Sequence, residues 1–235
     1  MELDTVRRSA LLSALDEQTA AQVLSRVAIT RHPRGEVLFA QDDPAEDLQL
    51  LVSGKVKLTR TVAGERERVL AVVAAGEIFG ETCLLEGTPR AATATALCDG
   101  TVAVISRPDV DLVIAANPEV VTTLMQVMAR RLRNANELLS ELAFRDVPGR
   151  VARALVDLTA RFGEPTVRGT RVCHGLTQEE LAQLVGASRE AVNKALSDFG
   201  ARGWLRLEQR GVTVTNLDRL RRRAHLVSPD GRLPV

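Results

Sequence analysis

Apolar positions along the chain change their spacing twice. Over residues 4–27 they fall at Leu11, Leu12, Leu15, Ala20, Val23, Leu24 and Val27, the spacing of one or two short amphipathic helices. From His32 to about Pro108 the pattern breaks into short apolar runs at 37–40, 48–52, 56–61, 69–73, 92–97 and 102–105. Turn signals separate them: Pro33-Arg34-Gly35, Asp42-Asp43-Pro44, Ser53-Gly54, Ala63-Gly64, Ala75-Gly76, Gly87-Thr88-Pro89 and Asp99-Gly100. Strands this short, about ten residues apart, predict an antiparallel sandwich or roll.

Asn117-Pro118 then signals a helix start. An apolar ladder follows at Val121, Met125, Met128, Leu132, Ala135, Leu139 and Leu142, with gaps alternating between four and three. That is the a/d pattern of a coiled-coil seam over three heptads. A helix packed on its own domain needs a wider stripe, so the ladder predicts a homodimer. Arg130, Arg131, Arg133, Asn134, Asn136 and Glu137 fall on the other faces. Asp146-Val147-Pro148-Gly149 breaks the helix and marks a hinge. A second amphipathic helix carries Val151, Leu155, Leu158 and Phe162, and the turn at 162–165 closes it. Three parts result: helices and roll at 1–116, a dimerisation helix at 117–145, and a C-terminal domain at 146–235.

Residues 176–196, LTQEELAQLVGASREAVNKAL, are the most informative stretch. Thr177 and Glu180 fit a capping box. Leu181, Leu184 and Val185 form the buried stripe of a short helix, and Gly186 supplies its turn. Ser188 caps a second helix with Val192, Ala195 and Leu196 inward. Two short helices joined by a glycine turn make a helix-turn-helix. The second helix then offers Arg189, Glu190, Asn193 and Lys194 to the major groove of double-stranded DNA. Arg189 can fork onto guanine, and Glu190 can accept from cytosine N4. Residues 204–207 and 212–215 flank the turn 208–211 as a hairpin wing, with Arg210 at its tip. With the caps Thr177 and Ser188, these residues make the candidate DNA-binding set. The Arg-Leu-Arg-Arg-Arg run at 219–223 is either a further phosphate contact or a solvated charge run.

Composition narrows the picture. Aromatic residues are 3% with no Tyr, which disfavours base-stacking platforms for RNA. The net charge of +1 hides a local asymmetry between the basic run at 219–223 and the acidic stretch 41–47. Cys83, Cys98 and Cys173 are odd in number and widely spaced, neither a disulfide framework nor a metal site. They read as reduced, mostly core thiols. His32, His174 and His225 are isolated. With no signal peptide and no apolar run of spanning length, the sequence predicts a cytoplasmic protein without membrane contact.

With these motifs the chain resembles the CRP/FNR superfamily of bacterial regulators, closest to actinobacterial cyclic-AMP receptor protein-like regulators, over nearly its whole length. The stretch Asp146-Val147-Pro148-Gly149-Arg150-Val151-Ala152 shares in the likeness. The resemblance implies an α+β fold. Its parts would be an N-terminal antiparallel β-roll of the cyclic-nucleotide-binding kind, a long dimerisation helix and a C-terminal winged helix-turn-helix. It further implies a dimer on a palindrome with TGTGA-like half-sites about one helical turn apart. Arg189, Glu190 and Lys194 match the base-contacting positions, and RNA polymerase is an implied partner.

The segments Gly35-Glu36-Val37-Leu38-Phe39 and Ser53-Gly54-Lys55-Val56 resemble strands of that roll. Asp42 stands where a turn glycine is usual, and Asp tolerates positive φ better than most residues. The phosphate-binding cassette maps onto Phe79-Gly80-Glu81, through Thr82, to Arg90-Ala91. Gly80 would let backbone approach the ligand, Glu81 would bond a ribose 2′-hydroxyl, and Arg90 would fork onto phosphate. Two positions depart from the pattern. Ala91 replaces the Ser or Thr after the arginine, and Ala135, followed by Asn136, replaces a Thr that reaches the adenine. Each lost hydroxyl costs about 1–3 kcal/mol, roughly tenfold in affinity or more. Thr93 and Asn136 are candidates to compensate. Cyclic AMP is the implied effector, and a different ligand or none remains open.

The chain has no N-terminal cysteine cluster for an iron–sulfur centre and no cassette histidine for haem. It shows no nucleophile–base pair, metal triad or Walker loop, so an enzyme is not expected. A regulatory subunit without a DNA role is argued against by the helix at 188–194.

Overall fold

The computed structural model describes residues 2–9, 11–13, 15–62 and 66–224, without the side chains of 4, 62, 66 and 140–144. The turn expected at Ala63-Gly64, the seam side chain of Leu142 and the isolated His225 lie outside the described residues. Two compact units divide the chain, Met1–Asn136 and Glu137–Val235.

In the first unit, helices α1 (Glu2–Arg7) and α2 (Glu17–Leu24) precede strands β1 (Ala28–His32), β2 (Val37–Phe39), β3 (Asp47–Ser53), β4 (Lys55–Val62), β5 (Arg66–Ala74) and β6 (Ile78–Phe79). Helix α3 (Glu81–Glu86), strands β7 (Thr93–Ala96) and β8 (Gly100–Ser106), and helix α4 (Arg107–Ala116) follow. The long helix α5 (Glu119–Phe144) runs from this unit into the second.

Two antiparallel four-stranded sheets, ordered β1-β8-β3-β6 and β2-β7-β4-β5, make the roll. Leu51, Phe79 and Val102 of the first sheet meet Val56, Val73 and Ala94 of the second in one core. Leu48, Leu50, Ala103 and Ile105 turn the other way. They pack under α1, α2 and α4 with Val120 and Leu124 of α5. Strands β3 and β8 are thus buried on both faces, which is why β8 reads as an unbroken apolar run and β3 as one interrupted only by the buried Gln49.

Several elements escaped the sequence pattern. Strand β1 falls between the helical stripe that ends at Val27 and the strand pattern that begins at His32. Helix α3 is too short to show a period. Pro108 was read as the end of the strands, but it sits in the first turn of α4, whose N-cap Ser106 accepts from Asp109 N–H. Asp42 holds φ 70°, the one positive φ outside glycine among the described residues.

In the second unit Asp146 caps α6 (Val147–Phe162) by accepting from Gly149 N–H at 3.0 Å. The chain then forms strands β9 (Gly163–Thr166) and β10 (Gly169–Val172), where the sequence suggested only a turn. Helices α7 (Gln178–Val185) and α8 (Arg189–Ala201), the hairpin β11 (Leu205–Glu208) and β12 (Gly211–Val214), and helix α9 (Leu217–Arg223) complete it. The sheet order is β11-β12-β10-β9. Phe199 stacks on Trp204 with ring centroids 5.3 Å apart, tying α8 to the hairpin. Among the described residues no single helix is long and apolar enough to cross a membrane.

Candidate effector pocket and DNA-reading face

The candidate effector site is built where β6 ends. Gly80 has φ 82° and ψ −2°, a left-handed conformation that turns the chain out of β6 and into α3. A Cβ there would collide with the Arg90 guanidinium. Gly80→Ala therefore combines backbone strain of about 1–2 kcal/mol with displacement of Arg90. It is expected to lower Tm by several degrees and abolish effector binding, as thermal melts and calorimetry would show.

Arg90 is only 2% exposed. Its Nη1 donates to Gly80 O at 3.1 Å and its Nη2 to Asp47 Oδ1 at 2.8 Å. Its Cζ lies 4.2 Å from the centroid of the Phe39 ring. Gln49 Nε2 donates to the same Asp47 oxygen at 3.1 Å, so β3 steers the arginine. Its Nε has no partner among the described residues.

Glu81 has no exposed surface. Arg131 of α5 reaches it with Nη1 at 2.7 Å from Oε1, and donates with Nη2 to Ile78 O at 3.0 Å. Thr82 Oγ1 donates to the same Glu81 oxygen at 3.3 Å. Glu81 Oε2 is buried and has no hydrogen-bond partner among the described residues. Burial pushes the Glu81 carboxyl above the usual carboxylate range, and the Arg131 charge pulls it back by less. The native protein thus holds this proton more tightly than the unfolded chain does. The stability this brings is complete below the unfolded value of about pH 4.3. It is lost as pH rises through the raised value. Glu81→Gln is expected to flatten that decline in urea melts run from about pH 4 to 7, whereas an unchanged slope would refute it.

A buried carboxylate oxygen and a buried guanidinium N–H, both unpaired and flanking a left-handed glycine, fit a ligand with a hydroxyl and an anionic group. Ala91 is exposed and brings no hydroxyl. Its N–H donates instead to the buried Cys83 Sγ at 3.1 Å. Thr93 Oγ1 accepts from Gln41 N–H at 2.9 Å. Ala135 and Asn136 lie on an exposed stretch of α5.

Sequence reasoning missed Arg131 and Asp47. Arg131 was placed among the flanking charges of the seam, but its guanidinium is committed to Glu81. The thiols also differ from expectation, since Cys83 is buried, Cys98 half-buried and Cys173 exposed.

The second face is the helix-turn-helix. The Thr177 capping box is complete: Thr177 Oγ1 accepts from Glu180 N–H at 3.1 Å, and Glu180 Oε2 from Thr177 N–H at 2.7 Å. Leu181, Ala182 and Val185 form the buried stripe, with Leu184 half-buried in place of Ala182. Gly186 closes α7 at φ 64°. Ser188 caps α8 by accepting from Ala191 N–H at 3.2 Å. Arg189, Glu190 and Lys194 are exposed on its first turns. Asn193 is half-buried, with a buried and unpaired Oδ1, so it is less available than its neighbours. Arg210 is exposed at the wing tip. The basic run 219–223 is partly spent inside the unit: Leu220 is fully buried, Arg223 pairs with Asp146 and Arg221 with Asp218.

Residues 29–117 match the cyclic nucleotide-binding domain family, and residues 149–223 the Crp-like helix-turn-helix domain family. The CRP-like cAMP-activated global transcriptional regulator of Mycobacterium tuberculosis is 40% identical over 221 residues, covering 94% of this chain and 99% of the relative. The chain belongs to the CRP-like family of transcription regulators. Another CRP-like relative, the cyclic AMP receptor protein of Thermus thermophilus, is 35% identical over 89% of this chain and 94% of its own. A CRP-like fold is also seen in the solved structure of the c-di-GMP responsive global regulator CLP of Xanthomonas campestris. It matches with a TM-score of 0.70 and 28% identity, over 85% of this chain and 99% of that one. A CRP-like regulator binds DNA through its helix-turn-helix and is not an enzyme, and this chain carries both domains of the family.

Proposed function

We propose that this protein is a cytoplasmic, homodimeric regulator that binds a palindrome of TGTGA-like half-sites under the control of cyclic AMP in the roll, and acts with RNA polymerase. The three-part division at 116 and 145 belongs to the same reading. The observation that carries it is the pair of buried unpaired groups, Glu81 Oε2 and Arg90 Nε, on either side of Gly80. The cyclic-AMP activation named for the M. tuberculosis relative supports the choice of ligand.

The dimer rests on α5. Met125, Leu132 and Leu139 are 65%, 64% and 65% exposed, all on the a/d stripe. Burying these six side chains of two copies yields on the order of 10 kcal/mol, comparable with the roughly 4–15 kcal/mol that association costs. A dimer also carries Ala135 of each copy, on the same stripe, into the interface.

A second reading has its own observation. Ala91 presents a methyl group, and its N–H is already taken by Cys83. A CRP-like neighbour is c-di-GMP responsive. The same fold then serves a different effector, or none. Fluorescence anisotropy of a TGTGA palindrome, with and without cyclic AMP at fixed salt, tests both. A gain of tenfold or more with nucleotide supports the first reading, and tight specific binding that ignores nucleotide supports the second. No preference over random DNA in either condition refutes the assignment of Arg189 and Glu190.

A further inference from the structure

Arg150 is a buried cation that no DNA-contacting or effector-binding role accounts for. It is 9% exposed, and among the described residues no carboxylate pairs with it. All three edges of its guanidinium go to backbone carbonyls. Nε donates to Val185 O at 2.9 Å, Nη2 to Gly186 O at 3.0 Å and Nη1 to Arg145 O at 2.9 Å. Val185 and Gly186 are the last residue of α7 and the left-handed turn before the reading helix α8. Their carbonyls are the unpaired, partly negative end of α7, a natural seat for a cation. Arg145 is the residue that follows α5.

The planar fork is rigid, so its three bonds fix the connector and the reading turn at a set distance from each other. The connector is held from its other side too. Arg145 Nη1 donates to Ala224 O, and Arg223 pairs with Asp146. The cap of α6, the end of α9 and the turn of the helix-turn-helix thus meet at the two-residue connector Arg145-Asp146 between α5 and α6.

We propose that Arg150 is a positioning residue that ties the reading turn to the end of the dimer helix and so sets the spacing of the two half-sites the protein accepts. This rests on the reading of the chain as a dimer on a palindrome. In such a dimer, half-site spacing mirrors how each reading helix is held relative to the symmetry axis. A loosened clamp lets each head shift, and the spacing preference broadens while each head still reads its own bases.

The test is a series of palindromes whose spacer is lengthened or shortened by one and two base pairs, with a single half-site alongside. The wild type is expected to lose about tenfold in affinity per base pair away from its best spacer. Arg150→Lys keeps the charge but not the fork. It is expected to flatten the series to within about threefold, while half-site discrimination against scrambled DNA and the unfolding cooperativity persist. Arg223→Gln removes a half-buried arm that holds the same connector and is expected to broaden the profile in the same sense by less. It decides alone if Arg150→Lys does not fold. Uniform weakening across all spacers, with the profile unchanged in the folded variants, would overturn the proposal. Equal wild-type affinity for palindrome and single half-site would instead refute the dimer reading.

Discussion

Replacing Arg189 with Ala is expected to lower affinity for a TGTGA palindrome by about 30- to 10⁴-fold, while affinity for random DNA stays within about threefold. Arg189 is exposed in the first turn of α8, directly after the cap Ser188 and before Glu190. A bidentate Arg–guanine contact is worth about 1–3 kcal/mol of discrimination. A dimer makes the contact twice, so about 2–6 kcal/mol is at stake. The loss is specific to bases, so the slope of log affinity against log salt is expected to stay nearly unchanged. Specificity is expected to relax at the contacted guanine and to hold elsewhere in the half-site. Anisotropy titrations on single-base variants at several salt concentrations check all of this. A uniform fall across sequences, with a shallower salt slope, would make Arg189 a phosphate contact instead.

What the sequence disclosed follows from how far apart the interacting residues stand. The helix-turn-helix was legible because its signals are local. A cap binds three residues on, a glycine ends the helix, and another cap restarts it within one continuous stretch. The strands of the roll were legible through their turns, and the positive φ at Asp42 fits the resemblance, in which a turn glycine is usual at that position. Elements of six residues or fewer, such as α3 and β1, hold too few positions for a period to emerge.

The pocket was legible only in part. Its backbone and its two charged residues lie within one cassette, but what holds them does not. Asp47 lies 43 residues before Arg90, and Arg131 reaches Ile78 from 53 residues on. Neither pairing leaves a local trace. The heptad pattern even argued the other way, since Arg131 sits beside the seam where charge is ordinary. Arg150 was equally invisible, because its partners are carbonyls and carry no side-chain signature.

The other large effect is expected from Arg90→Gln, which should weaken cyclic AMP binding by about 10²- to 10⁴-fold. A phosphate held by Arg90 gains two charge-assisted bonds of about 1.5–3 kcal/mol each, and the loss converts to that range. Gln is close in reach but neutral, so it can keep one bond to Gly80 O or Asp47 and cannot fork onto an anion. The fold should survive at a cost of about 1–3 kcal/mol, because the Asp47 side chain is 28% exposed and water can take the place of the lost cation. Calorimetry on the folded variant isolates the ligand term, and anisotropy without nucleotide isolates the DNA term, which should match the wild type. Cyclic AMP binding at wild-type strength by the variant would place the nucleotide outside the cassette. If the wild type itself does not bind cyclic AMP, then Ala91 and the Cys83 thiol have closed the pocket to it. The buried Glu81 Oε2 and Arg90 Nε then call for a different anionic ligand.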